Sequence, residues 1–323
     1  MYKRQIICLL SIGGHELKLI VGTRGSKLAV TQTKIVVDAI KSNFENIDVD
    51  IKIISTKGDR ILDKSLDKIG DKGIFTQEIE RQLIEGEIDF AIHSLKDMPS
   101  ELGEGLVLTK TIQREDPRDL LILNSKFKKI DDPIKWLKEN DGMRIGTGSK
   151  RRSAQLLNIN PNLKIDLIRG NIDTRLEKME KESYDAIVLA AAGVNRLKMD
   201  WINSYVLDDN SMIPAVGQGA LAIEIKEGNQ ELMNIFEAIS DDIANVCVEA
   251  ERTYLATING GCHMPVGALA QVNEGKLCLK GIYGSEDCKL IVSSSLEGPL
   301  EDAQRIGREL ADKILREFEE KKR

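Results

Sequence analysis

Short apolar runs alternate with amphipathic stretches through most of the chain, the pattern expected of α/β layers with largely parallel strands. Leu17 to Val21 reads as a strand, Ser26 to Asn43 as a helix, and Val49 to Ser55 as the next strand. Thr76 to Glu85 predicts a helix with Thr76 as its cap, followed by a strand from Ile88 to His93. The theme continues with strands at Leu120 to Leu123 and Arg144 to Gly146, a helix over Arg151 to Leu157, a strand over Lys164 to Ile168, a helix over Ile172 to Lys181, and a buried strand over Tyr184 to Ala190. Two stretches, Val21-Gly-Thr-Arg-Gly-Ser-Lys27 and Ile145-Gly-Thr-Gly-Ser-Lys150, are near-copies, each set between a strand and a helix. Two related α/β domains are the natural reading.

The alternation changes near residue 240. A long helix over Ile243 to Thr257 ends at Gly260-Gly261, and three strand-like runs follow at Gly267 to Val272, Lys276 to Tyr283 and Lys289 to Ser294, before a last helix from about Glu301. Strands in close succession imply an antiparallel sheet and a separate α+β domain. Segments 115–119 and 211–219, rich in Pro, Gly and Asp, suit crossings between the first two domains.

The 323 residues, 41% hydrophobic and 30% charged, are ordinary for a globular protein that needs neither disulfide nor metal to hold a core. A net charge of −6 argues against a nucleic-acid binder, so any anion site must be local. Screening permits one, because the Debye length at physiological salt is about 8 Å. The five cysteines are sparse and form no C-x-x-C pair, and the three histidines are far apart, which fits a reducing cytoplasm and no structural zinc. The apolar run from Ile6 to Ile12 behind Lys3 and Arg4 faintly imitates a signal peptide but is too short to span a bilayer and lacks a small-residue cleavage site, so it is read as an unstructured extension or a misassigned start.

Basic residues recur at strand-to-helix turns: Arg24 and Lys27, Arg151 and Arg152, Arg169 before Gly170-Asn171, then Arg175. Helix amino termini favour anions, and arginine adds a planar fork matched to carboxylate or phosphate. With no G-x-x-x-x-G-K-[ST] loop and no G-x-G-x-x-G after the first strand, carboxylates are the attractive ligand. The bland alternative for any one arginine is a solvated surface charge. His93-Ser-Leu-Lys-Asp-Met-Pro99 closes a buried strand, where α/β folds present reactive groups. Asp97 there is the candidate acid, base or cation stabiliser, against a simple turn-capping role. Cys247, Cys278 and Cys288 sit in apolar patterns and read as inert, whereas Cys262 follows paired glycines in Asn259-Gly-Gly-Cys-His-Met-Pro265. A thiolate there would be the strongest nucleophile in the chain, and the adjacent His263 is poorly placed to serve it.

Together these motifs make the chain resemble the hydroxymethylbilane synthase (porphobilinogen deaminase) family from Leu17 to the final helix. The resemblance rests on Gly22-Thr-Arg-Gly-Ser26, Lys57-Gly-Asp59, Gly70-Asp-Lys-Gly73, His93-Ser-Leu-Lys-Asp97, Arg114-Glu-Asp-Pro-Arg-Asp119, Gly146-Thr147 with Arg151-Arg152, Arg169-Gly-Asn171 with Thr174-Arg175, Pro214-Ala-Val-Gly-Gln-Gly219 and Gly260-Gly-Cys262, in the family's order. It implies two periplasmic-binding-protein-like (type II) α/β domains around a cleft plus a C-terminal α+β domain with a three-stranded antiparallel sheet. The implied boundaries are 17–114 with 216–239, 115–215, and 240–323, after an extension over 1–16. It further implies a transferase that condenses four porphobilinogen molecules, with loss of ammonia, on a dipyrromethane joined to Cys262 by a thioether, and then releases the linear tetrapyrrole by hydrolysis.

By the same resemblance Asp97 is the catalytic aspartate and Lys96 works beside it. Cys262, Arg24, Ser26, Ser94, Lys96, Asp97, Thr147, Ser149, Arg151, Arg152, Arg169, Gly170 and Arg175 bind cofactor, and Arg24, Ser26, Arg169, Arg175, Arg196 and Lys72 bind substrate. A cytoplasmic monomer without nucleic-acid, membrane or metal partners is implied. The chain departs from the family in a longer amino-terminal extension, at Lys150, where an apolar residue is common and the lysine would add charge to the anion site, and at Gly148, which replaces a usual serine. The readings from other classes are a solute-binding module that closes on a small anion without chemistry, and an acyl transferase using Cys262, which would carry a labile thioester.

Overall fold

The computed structural model describes residues 16–56, 76–259 and 264–323. In chain order the described elements begin with β1 (Leu17–Arg24), α1 (Lys27–Asn43), β2 (Ile47–Ile54), α2 (Gln77–Ile84), β3 (Phe90–Ser94) and β4 (Leu106–Leu108). They continue with β5 (Asp119–Leu123), α3 (Pro133–Glu139), β6 (Arg144–Gly146), α4 (Lys150–Ile159), β7 (Lys164–Asp166), α5 (Ile172–Lys181), β8 (Ala186–Ala190), α6 (Ala191–Arg196) and β9 (Ser204–Leu207). The last group is β10 (Leu221–Lys226), α7 (Gln230–Ala238), α8 (Asp242–Ile258), β11 (Val266–Asn273), β12 (Lys276–Gly284), β13 (Ile291–Gly298) and α9 (Ala303–Lys322).

The chain divides into two compact units, Met1–Arg114 with Ala220–Asn245, and Glu115–Gly219 with Val246–Arg323. The first is built on a five-stranded sheet of order β2-β1-β3-β10-β4. Strand β1 pairs in parallel with β2 and β3, whereas β10 runs antiparallel to both β3 and β4. Helix α1 forms because Ser26 accepts a hydrogen bond from the Ala29 N–H and because Val36, Val37 and Ile40 repeat on one face. That face joins Val21, Phe90, Ile223 and Phe236 in the core. Thr76 precedes α2 by position only, since its side chain makes no capping bond there.

The second unit holds a sheet of order β7-β6-β8-β5-β9 and a three-stranded sheet of order β11-β12-β13. In the five-stranded sheet β6 pairs in parallel with β7 and β8, and β5 runs antiparallel to β8 and β9. Its order and directions repeat those of the first sheet, with β6 in the place of β1, so the near-copy motifs leave equivalent strands. The largely parallel strands expected are present, with β10 in the first sheet and β5 in the second running against the other four and making each sheet mixed. The small sheet is antiparallel throughout, as expected. Tyr254 of α8 and Ile306, Leu310, Ile314 and Phe318 of α9 cover it. Strand β13 begins at Ile291 rather than Lys289, because Ser285 to Leu290 close a tight turn in which Cys288 takes a φ of 62°.

Candidate active site

In the first unit the expected residues gather at the carboxyl ends of the neighbouring parallel strands β1 and β3, where an α/β sheet leaves room for a ligand. Arg24 ends β1 and is half-buried, and Ser26 spends its hydroxyl on the α1 amino terminus, 3.2 Å from the Ala29 nitrogen. Ser94 ends β3, and its Oγ accepts a 2.9 Å hydrogen bond from Nε2 of Gln32 on α1. Lys96 and Asp97 follow in a single 3-10 turn. Leu95 and Met98 are buried on either side of them, while Lys96 and Asp97 are exposed, so the chain is anchored and its charges are left facing solvent. Beneath this end of β3, His93 Nε2 lies 3.2 Å from Oε2 of the fully buried Glu224.

In the second unit the expected residues follow β6, β7 and β8, again at carboxyl ends. Thr147 is buried and its Oγ1 accepts from the Ser149 N–H at 3.2 Å, while Ser149 caps α4. The first turn of α4 holds Lys150, Arg151 and Arg152 and no acid, three cations at the positive end of a helix dipole. Their balance comes from elsewhere. Asp119 at the start of β5 is fully buried and accepts from Nη1 of Arg151 at 2.8 Å, Nη2 of Arg152 at 2.7 Å and Nε2 of Gln218 at 2.9 Å.

Burial alone would raise the Asp119 carboxyl, but Arg151 and Arg152 outweigh it and hold the group well below the usual carboxylate range. Arg151 also donates to the Ile213 carbonyl, and Arg152 to the Val188 carbonyl. Gly267 allows this packing, because a Cβ there would lie 2.7 Å from Cδ of Arg151 and 2.6 Å from the Pro214 oxygen. Arg151 and Arg152 are therefore buried groups rather than solvated charges at a helix start. Lys150 reaches the β12–β13 turn, its Nζ donating to the Glu286 carbonyl at 2.9 Å.

After β7, Gly170 takes a φ of 120°, and a Cβ there would meet Thr174 at 2.7 Å. Nε of Arg175 donates 2.8 Å to the Gly170 carbonyl, so glycine, Arg169 and Arg175 share one turn. Arg196 ends α6 with Nη2 donating to the Gly219 carbonyl at 2.6 Å, and burial draws its guanidinium down to about 10, which still leaves it charged at neutral pH. Nε of Arg152 and Nε of Arg196 are buried with no hydrogen-bond partner.

Cys262, His263 and Lys72 lie outside the described residues. Cys247 is buried in the core of the C-terminal sheet, as its apolar pattern predicts. Cys288 differs, lying in a polar turn with Sγ 3.7 Å from the Lys150 carbonyl, and burial pushes its thiol up. No role for Asp119, Gln218 or Glu224 was inferred from sequence. The first two fall inside motifs quoted above, but nothing in a linear pattern shows which cation an acid will meet. Among the described residues no cluster of histidine, cysteine and acids could hold a metal.

Two family models match the chain: "Porphobilinogen deaminase, dipyromethane cofactor binding domain" over residues 19–234 and "Porphobilinogen deaminase, C-terminal domain" over 245–316. The porphobilinogen deaminase of Clostridium novyi is 48% identical over 94% of this chain and 100% of its own length. That of Bacillus subtilis is 43% identical over 93% of this chain and 97% of its own. Among solved structures, the probable amino-acid transporter extracellular-binding protein ytmK of Bacillus subtilis aligns with 69% of this chain and 90% of its own, at 12% identity and a TM-score of 0.43.

Proposed function

This chain belongs to the porphobilinogen deaminase family, and from that premise we propose how its residues divide the work. The reaction is the transferase step of tetrapyrrole and haem biosynthesis in which porphobilinogen units are joined, with loss of ammonia, on a dipyrromethane cofactor. The solute-binding reading is not favoured, since both family models and the curated relatives agree on the enzyme.

The donor set suits a polycarboxylate cofactor. Guanidinium groups follow β6, β7 and β8, and two buried Nε–H groups lack protein acceptors. This concentration of arginine is the observation that carries the reading. Arg151, Arg152, Arg169 and Arg175, with Thr147, Ser149 and Gly170, hold cofactor acid groups, as do Arg24, Ser26, Ser94 and Lys96. Arg24, Ser26, Arg169, Arg175, Arg196 and Lys72 orient the incoming substrate by its acetate and propionate. Charged hydrogen bonds of this kind contribute about 1.5–3 kcal/mol each, enough for several to retain the growing chain between additions.

When bound, the cofactor supplies a nucleophilic pyrrole carbon. Asp97 accepts the pyrrole N–H of the substrate and steadies the cation left as ammonia departs, the kind of electrostatic stabilisation that dominates many active sites. Cys262 carries the cofactor through a thioether. The chain acts as a cytoplasmic monomer on a small-molecule substrate, with neither nucleic acid nor membrane as partner; among the described residues no helix is long and apolar enough to cross a membrane. Intact-mass measurement of purified protein tests the attachment. The mass should exceed the sequence by two linked pyrrole units, resist hydroxylamine, and drop to the bare chain in Cys262→Ser. Active protein with no excess mass would overturn it.

A further inference from the structure

The balance of charge around Asp119 is unusual for a purely structural device. One carboxylate, wholly buried, meets two guanidinium groups, each on its own oxygen. The remaining contacts come from the neutral Gln218 amide and from the carbonyls of Ile213 and Val188. One positive charge is left over at a place about 5% exposed, and Nε of Arg152 is buried without an acceptor. Burying an uncompensated cation is costly, and a fold built for stability alone would pair one arginine with one acid.

We propose that Asp119 is a positioning residue, the resident counter-ion of the Arg151–Arg152 pair, which keeps both guanidinium groups in place before any cofactor acid reaches them. The inference rests on reading that pair as cofactor-binding. The lone carboxylate halves the net charge of the pair and leaves the other half for a cofactor carboxylate. Its removal therefore injures the cofactor-free protein more than the loaded one, because the cofactor brings replacement negative charge. An acid needed only for packing would weaken both forms alike.

The test is a cycle of four proteins: wild type, Asp119→Asn, Cys262→Ser and the double variant, each weighed intact and melted. Asp119→Asn keeps the shape and removes the charge. The gap in Tm between cofactor-loaded and Cys262→Ser protein is expected to widen by roughly 2–4 °C in the Asp119→Asn background, the shift that one charged contact of about 1.5–3 kcal/mol produces in a chain of this size. A gap that stays equal or narrows, with masses as expected, overturns the counter-ion role alone. A Cys262→Ser protein that still carries two pyrrole units overturns the attachment reading and this inference with it. If Asp119→Asn fails to fold without cofactor, adding Arg152→Met restores a single net charge and is expected to return soluble, cooperatively melting protein; no recovery overturns the proposal.

Discussion

His93 and Glu224 face each other from adjacent antiparallel strands, Nε2 to Oε2 at 3.2 Å, with Oε1 of Glu224 buried and without a partner. The pair lies under the strand end that leads to Asp97. Removing one member leaves the other unsatisfied in the core, so His93→Leu is expected to lower stability by roughly 2–3 kcal/mol. Replacing both by leucine should cost less than either single change, since no orphan remains. Urea unfolding of the three variants measures this, and a double variant weaker than both singles would count against it.

Asp97→Asn should leave the fold intact, because the turn is anchored by Leu95 and Met98 and the aspartate is exposed. Its stability should stay within about 0.5 kcal/mol of wild type. Turnover should fall on the order of 100-fold or more, as when a stabilising group of an active site is deleted. Porphobilinogen consumption and intact mass, followed together, should show slow but cofactor-loaded enzyme.

Gly170→Ala forces a side chain onto a φ of 120° and into Thr174. The strain is on the order of 1–3 kcal/mol and falls on the carbonyl that Arg175 binds. KM for porphobilinogen should rise more than kcat falls, because the injury is to binding. Steady-state kinetics decide it, and unchanged KM would remove this turn from the binding surface.

The depressed carboxyl of Asp119 sets a sign for acid stability. Its folded state binds the proton less readily than the unfolded chain, whose aspartates titrate at about 3.9, so its contribution is complete above that value and is lost as pH falls further toward the folded pKa. The stability difference between wild type and Asp119→Asn is expected to be flat from about pH 5 to 8 and to shrink only below about pH 4. Denaturant titrations across that range measure it; shrinkage between pH 5 and 7 would contradict the assignment.

Arg196 is held at a cost, since burial opposes its charge. Arg196→Met removes that cost together with one bond to the Gly219 carbonyl, so stability at pH 7 should change by less than about 1 kcal/mol in either direction. Substrate affinity should drop at the same time, the exchange expected where a binding group is kept against the interest of the fold. Melting and KM, measured on one preparation, separate the two effects.

Local signals made much of the architecture legible. The helix over Ile172 to Lys181 matches at both ends, and the Ser26 cap marks the start of α1 to within a residue. Strands of three or four residues, such as Leu106–Leu108 and Ser204–Leu207, are too short to show an alternation. Strand direction also escapes a linear pattern, since Leu221–Lys226 looks the same whichever way it runs. At the site, arginines and turns were visible, but their burial was not. Whether Arg151 is solvated depends on an aspartate thirty-two residues earlier in the chain.

Strand β10 fills the fourth position of the first sheet, yet its partner β3 leaves the ribosome well over a hundred residues sooner. At about 5–20 residues per second, one edge of β3 waits on the order of ten seconds for its neighbour. In the other five-stranded sheet β5 waits about half as long for its partner β8. A nascent chain therefore carries an open edge on β3 until β10 emerges, which makes synthesis the interval when this enzyme most needs protection from aggregation.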